Sequence, residues 1–143
     1  SLWIPMSTLT MILVLAFWCG FSDGYQHSFC KLVRNELSVT LSSCPSTFWI
    51  DADNLGLTKL PAEGFEHLPK LVYLYLYNND LTEIPPKVFD RLPLLGRLEL
   101  DRNNLATLPP NVFDLNRKLY MLKLSYNELS TLPPNLFVHN RNL

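Results

Sequence analysis

The sequence predicts an α/β solenoid, a stack of short repeated turns that align a parallel sheet on one side and carry little regular helix on the other. Three observations predict it. Residues 71–94, 95–118 and 119–142 superpose without a gap, and nine columns agree: Leu71/Leu95/Leu119, Leu74/Leu98/Leu122, Leu76/Leu100/Leu124, Asn79/Asn103/Asn127, Leu81/Leu105/Leu129, Ile84/Leu108/Leu132, two prolines, and Phe89/Phe113/Phe137. Leucine supplies 30 of the 143 residues, about twice its usual share, while glycine is scarce at five. A turn of this size cannot bury its own leucines, so neighbours must stack to bury them.

The chain opens on a different pattern. Residues 9–21, LTMILVLAFWCGF, carry no charge, and this run of 13 is too short to cross about 30 Å of hydrocarbon as a helix. Small or polar residues at Gly20, Ser22 and Gly24 complete the outline of a secretory signal peptide over 1–24, cleaved after Ser22 or Gly24. The competing readings are a buried apolar helix and a signal anchor; no Lys or Arg precedes the run, and the first methionine is Met6. Cleavage removes Cys19 and leaves Cys30 and Cys44. In an oxidising compartment a bridge between these two closes a 15-residue loop, counted from Cys30 through Cys44, and stabilises the fold by about 3 kcal/mol. Two unpaired thiols are the alternative if the chain is cytosolic. No CxxC pair exists, and His27, His67 and His139 stand far apart, so neither metal nor cofactor is expected.

Residues 25–58 read as an N-terminal cap that overlaps a divergent first repeat, 47–70. That repeat keeps Ile50, Leu57, Leu60, Pro61, Phe65 and Leu68 in register and puts Leu55 in the asparagine column. Upstream, Leu37, Val39 and Leu41 alternate as an edge strand would. Within each full repeat, LxxLxL alternates as a short strand with one buried face. Asn79, Asn103 and Asn127 fall where the chain leaves that strand, where a buried amide can bond unpaired backbone groups, so they are expected to be structural. The proline pairs at 85/86, 109/110 and 133/134 exclude a continuous helix and with it a coiled-coil stripe. Phe89, Phe113 and Phe137 are expected to stack on the convex side.

The pattern LxxLxLxxNxLxxLPxxxFxxLxx resembles the extracellular leucine-rich repeat family in its typical 24-residue form, strongly over 71–142 and weakly over 47–70. The resemblance implies a right-handed horseshoe with a concave parallel sheet, and it implies a cap over 30–57. The usual four-cysteine cap is absent, and Ala52 stands where such caps often place their last cysteine. The LP..VFD segments are similar to those of Toll-type and lamprey-type variable receptors. Asn116 and Asn140, replacing the leucine that Leu92 supplies, resemble the spacing of invertebrate Toll ectodomains. Because the last repeat stops at Asn142 and Leu143 opens another, the array is expected to be a fragment, with any membrane anchor beyond 143 and no membrane insertion within the chain after signal removal.

Function in such a fold sits on faces that do not build the core. The balance of 12 basic and 13 acidic residues, with no Lys/Arg run, argues against a nucleic-acid partner. Strand positions between the leucines face solvent on the concave side, and five of the six tyrosines fall there. A protein ligand is the expected partner, with Tyr73, Tyr75, Tyr77, Arg97, Glu99, Arg102, Tyr120, Lys123 and Tyr126 as its contacts, because interfaces favour aromatics and Arg. The plainer reading is that tyrosine simply forms strands well. An enzyme is not expected: Asp51, Asp53, Glu99 and Asp101 lie among Arg97, Arg102 and Lys123 as a solvated charge pattern, and no GxSxG, HExxH or glycine-rich phosphate loop occurs. A secreted or cell-surface receptor is therefore the favoured role. A structural or adhesive matrix protein is the alternative, although no N-x-Ser/Thr glycosylation site is present. Four strands project a face of only about 250 Å², which is part of a standard interface of about 800 Å² per partner.

Overall fold

The computed structural model describes residues 47–143 throughout and, before them, the backbone of two short strands, β1 (Trp18–Cys19) and β2 (Phe29–Lys31). Each LxL segment then forms a three-residue strand: β3 (Trp49–Asp51), β4 (Tyr73–Tyr75), β5 (Arg97–Glu99) and β6 (Met121–Lys123). These four pair in parallel and in strict register, so Ile50, Leu74, Leu98 and Leu122 share one row. β2 joins β3 in parallel, and β1 lies antiparallel to β2 with Cys19 opposite Cys30. The edge strand expected over Leu37, Val39 and Leu41, the expected cleavage positions and Cys44 lie outside the described residues. The strand beside β3 is 29–31.

The strands stop after three residues for a backbone reason. Asn54, Asn78, Arg102 and Tyr126 share one column and take left-handed backbone at φ 57°, 52°, 54° and 56°, which turns the chain out of the sheet. A second left-handed column follows at Lys87, Asn111 and Asn135. Asparagine visits this region readily, whereas arginine and tyrosine do so at a cost. Among the described residues there is no helix, in keeping with the proline pairs.

The core lies between the sheet and the convex turns. Leu71, Leu74, Leu76, Leu81, Leu95, Leu98, Leu100, Leu105 and Leu119 are wholly buried. On the convex side Phe65, Phe89, Phe113 and Phe137 stack with ring centroids 6.2, 6.0 and 6.1 Å apart. Between the leucines runs an amide ladder that supplies what the turns lack. Asn79 Oδ1 accepts from the N–H groups of Leu55 and Leu57, and its Nδ2 donates to the carbonyls of Ala52 and Leu76. Asn103 and Asn127 repeat the two donations one and two turns on, with Oδ1 accepting the N–H of Leu81 and of Leu105 respectively.

A second ladder runs on the convex side. Asn116 Nδ2 donates to the carbonyls of Phe89 and Leu92, and Asn140 Nδ2 to those of Phe113 and Asn116. Both asparagines are buried. Where Leu92 fills its column with apolar bulk, these two fill it with a donor that ties one convex turn to the preceding one.

Candidate functional site: the concave face

The alternation that buries Ile50, Leu74 and Leu98, and partly buries Leu122, turns the residues beside them outward, and in-register pairing sets them in columns about 4.8 Å apart. Rings fill the first two rungs. Phe48 meets Tyr73 edge-on at 6.2 Å, and Trp49 meets Tyr75 edge-on at 5.8 Å. The next column carries Tyr75, Glu99 and Lys123 side by side. Arg97 lies over the face of Tyr75 at 5.2 Å and bonds Glu99 through both Nε, at 2.7 Å, and its terminal amine. Lys123 Nζ reaches the same Glu99 oxygen at 3.1 Å.

Glu99 thereby departs from the sequence reading. The charge pattern of the sequence predicts a solvated acid here, yet Glu99 is only 7% exposed, because Arg97 and Lys123 close over it. Burial alone pushes its carboxyl up. The hydrogen bonds and charges of Arg97 and Lys123 outweigh burial and hold it below the usual carboxylate range. The hydrogen bond to Glu99 in turn pushes the Arg97 guanidinium up against desolvation. Glu99 therefore shapes the face from below, and the cations above it are what a partner meets.

Two further groups complete the surface. A Cβ at Gly96 would stand 2.7 Å from the Tyr120 ring, so the glycine makes the slot across which that ring lies. Tyr120 reaches Tyr73 there, and desolvation together with that hydrogen bond pushes its phenol up. At the exit of the strands, Arg102 sits between Tyr77, at 5.8 Å, and Tyr126, at 4.9 Å. The nine residues picked from sequence thus form three local groups: Tyr73 with Tyr120; Tyr75 with Arg97, Glu99 and Lys123; and Tyr77 with Arg102 and Tyr126. Sequence reasoning passed over Gly96, whose signal was a glycine in a column otherwise held by Val72 and Tyr120. No group of three or more His, Cys, Asp or Glu able to hold a metal occurs among the described residues.

Asp53 lies at the acidic end of the face, and its Oδ1 accepts the Tyr77 N–H at 2.7 Å. Its pKa rises from 3.8 to about 6, chiefly through burial; the Tyr77 bond opposes this, while the charges of Asp51, Glu99 and Asp101 add to it. Between those two values the folded state holds a proton that the unfolded chain has released, so stability falls as pH rises through the window. Asp53→Asn keeps the acceptor and removes the charge. It is expected to raise stability by about 1 kcal/mol at neutral pH, after discounting for solvent screening, and to change little near pH 4. Urea unfolding at the two pH values checks this, and an equal gain at both would rule it out.

The geometry defines a class: a solenoid whose asparagine and phenylalanine ladders build the stack and whose outward strand residues lie outside its core. Residues 50–105 and 95–143 match the family model described as Leucine rich repeat, and the chain belongs to that family. Among solved structures it is similar to the Toll receptor in a Toll–Spätzle complex of Drosophila, at 27% identity and TM-score 0.61, covering 65% of this chain and 13% of that one. It is also similar to a chain of an LRIM1/APL1C complex, at 28% identity and TM-score 0.66, covering 71% and 19%. A leucine-rich repeat protein of Leptospira interrogans matches at 27% identity and TM-score 0.70, covering 80% and 29%. The chain thus spans less than a third of each of these relatives. No curated protein sequence matches it. The family and these neighbours mark a module of protein interaction rather than an enzyme. No helix among the described residues is long and apolar enough to cross a membrane.

Proposed function

We propose that the concave face binds a protein partner and that the chain is the ligand-recognising part of a secreted or cell-surface receptor. The observation that carries this reading is the cost the face accepts. Asn54 and Asn78 fill the left-handed column comfortably, whereas Arg102 and Tyr126 occupy the same backbone at about 1 to 3 kcal/mol each. Tyr126 is 75% exposed, with its ring under the Arg102 guanidinium at 4.9 Å, so burial in the core does not account for it there. A strand-forming preference explains Tyr73 and Tyr75 but not a tyrosine in left-handed backbone. Support also comes from the neighbours described as complexes, Toll with Spätzle and LRIM1 with APL1C.

Binding is tested by screening the intact protein against an array of recombinant extracellular proteins and measuring each hit with variants. Tyr75→Ala and Arg97→Ala are expected to weaken binding by about 2 kcal/mol, roughly thirtyfold. Arg91→Ala on the exposed convex side is expected to leave it unchanged; Lys87, with φ 65°, is unsuited as an alanine control. Hits that bind the two concave variants as well as the control would move the recognition surface elsewhere. The extracellular reading further proposes an N-terminus at Asp23 or Tyr25 and a Cys30–Cys44 bridge, both read by non-reducing peptide mapping of secreted protein. An uncleaved chain, or Cys30 linked to Cys19, would overturn it.

A further inference from the structure

Charge is unevenly distributed along the concave face. On β3 and the turn leaving it, Asp51 and Asp53 form no ion pair among the described residues; their side-chain oxygens accept the backbone N–H groups of Asp53 and Tyr77. The next rung is neutral and aromatic, with Tyr73, Tyr75 and Tyr77. Beyond it, Arg97 and Lys123 share the single carboxylate of Glu99. Arg102 is held by the faces of Tyr77 and Tyr126 and pairs with no acid among the described residues, which leaves its N–H groups for an outside acceptor. Across the described rungs the face therefore runs from two acids on the first, through rings, to the three cations Arg97, Arg102 and Lys123 set against Glu99 and Asp101 on the last two, over about 14 Å from the first strand to the last.

We propose that this face takes an extended protein segment laid across the rungs, with a carboxylate-bearing end over Arg102 and Lys123 and a cation-bearing end over Asp51 and Asp53. The inference rests on the concave-face reading above and adds the partner's polarity to it. Charges arranged in this way set the orientation of a partner and reject segments of the wrong pattern, since like charges brought together cost several kcal/mol. The strained backbone at Arg102 fits the same account. Rings on both sides confine the guanidinium, which lowers the entropy cost of presenting its donors to a planar carboxylate. Nothing in the sheet itself requires a cation there, because Asn54 and Asn78 make the same turn.

The test uses two synthetic peptides of identical composition, each with a tyrosine-rich centre. One has acidic residues at one end and basic residues at the other, and its companion has the same charges interleaved. The segregated peptide is expected to bind the intact protein about tenfold more tightly at low salt, with the advantage shrinking as salt screens it. Arg102→Asn, which suits the left-handed backbone, and Asp51→Asn should each reduce that advantage. Equal binding of the two peptides, no binding of either, or an advantage that survives both variants would overturn the proposal. If the peptides bind equally and Tyr75→Ala still abolishes binding, the polarity fails while the concave reading stands. If binding ignores Tyr75→Ala as well, both fail.

Discussion

Replacing Asn103 by alanine is expected to cost about 3 to 5 kcal/mol, a large part of the stability of a domain this size. The amide sits within the stack, with Oδ1 accepting the Leu81 N–H at 3.1 Å and Nδ2 donating to the carbonyls of Leu76 and Leu100 at 2.9 and 3.0 Å. It is buried, so water does not replace it freely. Alanine leaves the Leu81 N–H without a partner, at about 1 to 3 kcal/mol, and takes one of two hydrogen bonds from each of the Leu76 and Leu100 carbonyls, which keep Asn79 and Asn127, at about 0.5 to 1.5 kcal/mol apiece. Those groups belong to repeats 71–94 and 95–118, so the loss weakens the interface that makes the solenoid cooperative. Asn103→Asp keeps the acceptor but sets a charged oxygen against two carbonyls, and at neutral pH it should be no better tolerated. Urea unfolding followed by circular dichroism measures both. A loss under about 1 kcal/mol for the alanine variant would mean that leucine burial alone holds the turns.

The phenylalanine column should respond almost as strongly. Phe113 is wholly buried and stacks on Phe89 at 6.0 Å and on Phe137 at 6.1 Å. Phe113→Ala removes a large ring from between two others, and the proline-bounded turns around it have little freedom to collapse. A loss of about 3 to 5 kcal/mol is expected, and Phe113→Leu should recover more than half of it. Phe137 has a ring neighbour on one side among the described residues and is 36% exposed, so Phe137→Ala should cost clearly less. Thermal unfolding of the three variants sets the order. Equal shifts for Phe113→Ala and Phe137→Ala would show that the stack contributes nothing beyond local packing.

The repeat register, the parallel sheet, the structural asparagines and the phenylalanine stack were all legible, because each follows from one residue type recurring at a fixed spacing. Periodicity reports what every turn shares. It does not report what differs between turns, and the candidate site is made of such differences. Gly96 matters through the Tyr120 ring that crosses it, and Glu99 through the two cations that close over it. Asn116 and Asn140 were visible as a substitution in the leucine column, but their role depends on carbonyls that only the folded turns present.

By itself the sequence determined the architecture of residues 71–142 and the set of side chains turned away from the core, since a two-residue alternation decides which face each strand residue joins. Tertiary structure decided how those side chains combine. Neighbours on the face come from turns 24 residues apart, so their pairing depends on strand register and on how each ring and guanidinium leans across its column. In-register stacking put Arg97 over Tyr75 and brought Lys123 to Glu99, burying an acid that the sequence alone would leave in water. It also set Arg102 between rings from the preceding and following turns, in a backbone conformation that carries no signature in the residue itself.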